Sequence, residues 1–395
     1  MRGLQVPPPE EDFTADPVEL FFDLAFVFAF SRLVYLLVHD PTWTGVGEFA
    51  LLFTLIWLPW TQFTWSANAV AGNDRRVRVA FLVGTVATIP MAASVTTALD
   101  DGGMPFAISL GVILSLGLVT MIAGLGSGSA VYASIVRYSI PNVVAVGVLV
   151  AGAFFERDIR IVFWALAILT VVYGTIRAGD SEWLVRPRHF AERHGLILIV
   201  ALGEVIVAIG LPVVQALEEG EGLPGSTLSA LIASGAFACL LWWAYFDRVN
   251  PALEHRHEGH LDPQLRGMYA RDVYTYGHLP IIAGVVLIAA ALEEITLHPS
   301  ESLAVSFRWM LYGGMVLFFG GVAAAVWRAF RVVAKERVAG LVLLIVPAAL
   351  AGSISGLALL VVTNLLLLAI LIAEHVRIEG RPSPEAAPVT SSSDV

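Results

Sequence analysis

Long apolar runs separated by short polar segments dominate the chain. Runs of about 17–25 apolar residues are long enough to cross a hydrocarbon core as helices. The pattern predicts twelve of them, over 18–38, 46–68, 78–98, 105–126, 129–153, 160–179, 194–217, 226–247, 273–296, 307–330, 338–353 and 356–375. The last two share one run from Val338 to His375, and only GSISG, from Gly352 to Gly356, interrupts it. A turn there divides a stretch too long for one span into a hairpin. This reading makes the fold class all-α, a polytopic membrane helix bundle.

Composition supports the pattern. Of 395 residues 57% are hydrophobic and 14% charged, and the net charge is −10; the mean hydropathy is +0.78. A soluble domain of this length needs charged surface over its core, and long stretches here carry none, so lipid is the expected solvent and partner. The acidic balance, without clustered Lys and Arg, excludes nucleic acid as a partner. Cys239 is the single cysteine, which excludes an intramolecular disulfide and a thiolate metal site. The opening MRGLQVPPPEEDFTADP lacks the basic n-region of a signal peptide, and a retained N-terminus is expected. Beyond Glu379, GRPSPEAAPVTSSSDV has no apolar period and reads as a disordered tail.

Charge sets the expected orientation. With the N-terminus inside, 18 of the 23 basic residues fall in cytoplasmic segments, Arg157, Arg160 and Arg308 fall outside, and Arg32 and Arg137 fall within spans. Both termini are then cytoplasmic in a bacterial plasma membrane.

A repeat is visible at an offset of 193 residues, where Arg78 matches Arg271, Gly84 matches Gly277, and ALDD from Ala98 matches ALEE from Ala291. The resulting division is a cytoplasmic segment 1–17, a six-helix half 18–179, a linker 180–193, a second half 194–376 and a cytoplasmic tail 377–395. Six spans per half make the two repeats parallel, with a functional cavity expected between them.

Two segments are distinctive: VELFFDLAFVFAFSRL from Val18 to Leu33, and ERHGLILIVALGEVIVAIG from Glu192 to Gly210. With WLPWTQFTWSANAVAGNDRRVR from Trp57 and WWAYF from Trp242, the chain resembles the bacterial low temperature requirement protein A family over nearly its whole length. The resemblance implies an integral membrane protein tied by name to growth in the cold, and no particular reaction. Val205 after Glu204 is a departure, since the family pattern favours Ser there.

Candidate chemistry centres on charge inside the spans. Glu204 lies near the middle of the seventh, where an ionisable group must face protein or a wet cavity and reads as a proton or cation site. Glu19 and Asp23, at i and i+4, share a face of the first span and can bind a cation or share a proton; equally, Pro17 and an acidic first turn are ordinary for a helix start. Arg32 and Arg137 are candidate counter-charges, with either Glu204 or Asp23 as the partner of Arg137. His255, His257 and His260 lie in EHRHEGHLD, a set compatible with zinc or nickel but also with a solvated connector. Trp242, Trp243 and Tyr245, like Trp57, Trp60 and Trp65, read as interfacial anchors. Gly124, Gly126, Gly128, Gly313, Gly314, Gly320 and Gly321 read as places where helices pack closely.

No Gly-rich phosphate loop, H-E-x-x-H helix or G-x-S-x-G elbow is present, so neither an enzyme nor a cofactor is expected. The leading reading is a proton- or cation-dependent transporter or channel, for protons, cations or a small solute. A noncatalytic membrane scaffold or cold-adaptation factor is the alternative, and a membrane enzyme with a His-rich metal loop the third.

Overall fold

The computed structural model describes residues 14–69, 74–123, 130–178, 183, 185–220, 222–259 and 262–379. The tail beyond 379, His260 and the glycines at 124, 126 and 128 lie outside these. Among the described residues there are helices and no strands. In chain order they are α1 (Pro17–His39), α2 (Trp43–Ala69), α3 (Arg75–Ala93), α4 (Gly103–Ala123), α5 (Ala130–Gly152), α6 (Arg157–Ala178), α7 (Pro187–Glu218), α8 (Gly225–Phe246), α9 (Val249–Glu258), α10 (Pro263–Tyr269), α11 (Tyr276–Leu297), α12 (Val305–Phe330), α13 (Lys335–Leu343), α14 (Ile345–Leu350) and α15 (Gly356–Glu379).

Eleven helical stretches among the described residues are long and apolar enough to cross a membrane. Eleven of the twelve expected spans have such a helix. The exception is 338–353, which is split into the short helices α13 and α14. Pro347 gives the reason: its ring clashes with the carbonyl four residues back, and α13 ends at that residue, Leu343. The turn expected at Gly352 is present before α15, whose first amide donates to Glu301 O at 2.6 Å.

Local chemistry sets the helix starts. Asp16 caps α1, accepting from Val18 N at 3.0 Å, while Glu19 Oε1 accepts from Asp16 N at 3.2 Å, and Pro17 occupies the first turn. Pro187 opens α7, so this helix begins within the 180–193 segment. Between α10 and α11 the chain forms a π-helical segment, Ala270–Thr275. The backbone groups displaced there are partly taken up by side chains: Trp57 Nε1 donates to Thr275 O at 3.0 Å, and His278 Nδ1 donates to Val273 O at 3.1 Å.

In the first half α1, α3, α4 and α2 pack in succession, with α5 and α6 as an outer pair. In the second, α11 packs on both α12 and α7, and α15 lies outside against α8. The halves join where α1 and α2 meet α7 and α11. Val162, Leu166, Leu169, Tyr173 and Ile176 are exposed along α6, and Val361, Leu365, Leu368 and Ile372 along α15, as lipid-facing helices require.

The tightest packing lies between α11 and α12. A Cβ on Gly284 would overlap Gly314 O and lie 2.8 Å from Phe318 N, and one on Gly321 would lie 2.8 Å from Ile281 Cγ1. Gly314 and Gly321 therefore serve close approach, whereas Gly313 and Gly320 face open space. Gly284→Ala is expected to lower stability by about 1–3 kcal/mol through overpacking, read as an earlier thermal transition in detergent, with Gly313→Ala as an unchanged control. Equal transitions for both variants would show that this contact does not hold the helices together.

Candidate functional site

The α1–α7 contact is built on charge. Glu19 and Asp23 are fully buried on one face of α1, and His189 and Arg193, also four residues apart, are fully buried on the facing side of α7. His189 Nε2 lies 2.9 Å from Glu19 Oε2; Arg193 Nη2 donates to Asp23 Oδ1 at 2.8 Å, and Nη1 lies 3.4 Å from Glu19 Oε2. Each ladder rung joins residues 170 apart, which requires α1 and α7 to run in the same direction. From α2, Trp60 Nε1 donates to Asp23 Oδ1 at 2.7 Å.

Among these pairs two carboxylates face one guanidinium. His189 is the second basic group in contact with them, on Glu19. Hydrogen bonding is incomplete: Asp23 Oδ2, Arg193 Nε and Arg193 Nη1 are buried without a hydrogen bond among the described residues. Such under-satisfied groups in a dry site leave capacity for a proton, a water or an ion.

At the residue after Arg193 on α7, His194 Nδ1 donates to Phe190 O at 2.8 Å, which leaves Nε2 as an acceptor with no hydrogen bond among the described residues. Its ring lies edge-on to Trp60 and to His278, each at 5.0 Å between centroids. His278 Nε2 in turn lies 2.5 Å from the Tyr245 hydroxyl, and that hydroxyl lies 3.3 Å from Asn250 Oδ1. Titratable and hydroxyl groups thus run from the α1–α7 ladder into the second half, toward α9.

Glu204 stands eleven residues beyond Arg193, about 16 Å along the helix, and so occupies a separate level of the bundle. It is buried at 1% exposure. The Ser31 hydroxyl of α1 hydrogen-bonds its carboxyl, and half-buried Glu293 of α11 is its charged neighbour. Oε2 is buried with no hydrogen bond among the described residues.

The candidate residues thus separate. Glu19 and Asp23 share a site; Glu204 does not join them. Neither arginine proposed as a counter-charge serves as one: Arg137 is exposed on α5 and Arg32 reaches Thr96 Oγ1 at 3.2 Å while covering the Tyr35 ring. His255 and His257, two residues apart on α9, point apart; His255 is exposed, and His257 is buried and stacked on Tyr269. No cluster of three metal-ligating side chains occurs among the described residues. Trp242 and Trp243 are about half exposed, but Tyr245, Trp57 and Trp60 are buried and hydrogen-bonded, so they hold the interior together rather than anchor an interface.

His189, Arg193, His194, His278 and Glu293 were not anticipated. The i, i+4 spacing of His189 and Arg193, identical to that of Glu19 and Asp23, was the available signal for the first two. Glu293 lay in the ALEE motif used only for the repeat.

Fold and site together define a polytopic α-helical membrane protein with charge and histidine buried along its central helices. The chain belongs to the family of the bacterial low temperature requirement A protein (LtrA), whose model matches residues 14–372. It is 28% identical over 371 residues to an uncharacterized protein of Rhizobium meliloti (strain 1021), across 91% of this chain and 89% of that one. No solved structure matches it.

Proposed function

We propose that the protein is a proton- or cation-dependent transporter or channel of a bacterial plasma membrane, with both termini cytoplasmic and a pathway along the α1–α7–α11 junction. One observation carries this reading. Glu204 is buried in the middle of a span, and its charged neighbour is a second carboxyl, Glu293, not an arginine. A carboxyl retained only to fasten helices would be paired with a cation, whereas two neighbouring acids form a site that binds a proton or a cation. The repeat, with α1 and α7 as equivalent helices, is part of the same proposal and is supported by their shared direction.

A second reading has its own support. The complementary ladder of Glu19 and Asp23 with His189 and Arg193 is what helix registration by buried charge looks like, and a noncatalytic scaffold needs nothing more. Flux separates the two. Purified protein in liposomes, screened with imposed pH, alkali-cation and solute gradients, is expected to dissipate at least one gradient faster than protein-free vesicles. Vesicles holding monodisperse protein and leaking no faster than empty ones across the whole screen would overturn transport and leave the scaffold.

A further inference from the structure

A cavity separate from the buried charges lies where the halves meet at the side of the bundle. Counting its open mouth, it holds about 720 Å³ of empty space between α2, α6, the π-helical segment and the start of α11. Thr54, Leu58 and Trp65 of α2 and Val172 of α6 line it, and these residues lie on partly exposed stripes of their helices. The mouth therefore faces sideways, toward lipid.

The two ends differ in chemistry. Trp65 packs edge-on against Trp183 at 5.2 Å, and Trp183 lies beside Gly267, so Arg271, Trp183 and Trp65 share one end. Leu58, Val171 and Leu279 line much of the remainder, together with the hydroxyl-bearing Thr61, Tyr138 and Thr175. The Nε of Arg271 donates to Asp272 Oδ1 at 2.7 Å, and Arg328 takes Asp272 Oδ2 at 2.9 Å. Asp272 thereby holds the Arg271 guanidinium in place while its terminal nitrogens make no hydrogen bond among the described residues. The indole N–H groups of Trp57 and Trp65 are both spent on Thr275, which leaves their rings as apolar wall. From Thr54 to Trp65 the cleft runs about 16 Å along α2.

We propose that this cleft binds a single-chain anionic amphiphile of the fatty-acid class, with its carboxylate on Arg271 and its acyl chain along Leu58 and Leu279. A fixed guanidinium at one end of a largely apolar slot selects an anion by charge-assisted hydrogen bonds. A cation is repelled there, and a neutral alkyl chain gains only the apolar wall.

Equilibrium binding of tritiated dodecanoate to the purified full-length protein tests it, with unlabelled dodecanoate, dodecanol and dodecyltrimethylammonium as competitors. Saturable binding displaced by dodecanoate alone is expected. Arg271→Gln should weaken it about ten-fold, the loss expected for a charge-assisted hydrogen bond, and Leu58→Trp should weaken it by blocking the slot. Non-saturable binding, competition by dodecanol equal to that of dodecanoate, or an undiminished affinity in well-folded Arg271→Gln would each overturn the proposal. If Arg271→Gln does not fold, the competitor series on wild type and Leu58→Trp still decides.

Discussion

Arg193→Met is expected to destabilise the protein by about 3–5 kcal/mol, enough to remove most of the monodisperse species from a detergent extract. The methionine fills much of the arginine's volume, so a cavity is not the main effect. What is lost is the one guanidinium that faces both Glu19 and Asp23, and the two carboxyls are then left in a site with no exposure to solvent. Trp60 still donates to Asp23, but a neutral donor does not replace a charge. The triple variant with Glu19→Gln and Asp23→Asn should recover most of the loss, because no buried carboxylate is then left without its guanidinium. Arg137→Met, on the exposed face of α5, should shift stability by no more than about 0.5 kcal/mol. Thermal transitions by size-exclusion chromatography of heated samples check all three. A single variant as stable as wild type would mean that the ladder is not what joins the halves.

The ladder also shows what apolar periodicity can and cannot reveal. Glu19 and Asp23 stood out because a charge inside an apolar run is conspicuous, and the same holds for Glu204. Their partners did not, because hydropathy places the start of the seventh span at His194 whereas the helix begins at Pro187. That boundary assigned His189 and Arg193 to a polar loop, where a basic residue needs no explanation. The tryptophans were misplaced for a related reason. Their abundance near span ends suits a bilayer interface, and nothing in the local sequence indicates that Trp57 donates to Thr275 or Trp60 to Asp23, contacts separated by 218 and 37 residues.

The break at Pro347 differs in kind, because its cause was local. A proline ten residues into an expected span was present in the sequence, and the length of the apolar run outweighed it. In α2, α3, α7 and α11, proline is accommodated within the helix, so proline alone does not separate a kink from a break. Among the described residues, only at Pro347 does the helix stop at the residue whose carbonyl the ring would clash with.

Glu204→Gln is expected to abolish gradient-driven flux while leaving folded yield unchanged. Glutamine keeps the size and the carbonyl that accepts from Ser31, and it removes both the charge and the titration. If Glu204 were a helix fastener held by a cation, its neutralisation would destabilise the bundle; with Glu293 as the charged neighbour, neutralisation relieves like-charge repulsion and stability should hold or rise. Activity is therefore lost without loss of stability under the transport reading. Glu293→Gln should weaken flux without abolishing it, since this residue is only half buried and the central acid remains. Paired liposome flux and thermal unfolding on the same preparations read the two quantities together. Full flux with unaltered pH dependence in well-folded Glu204→Gln would remove Glu204 from the pathway and leave its burial to packing alone.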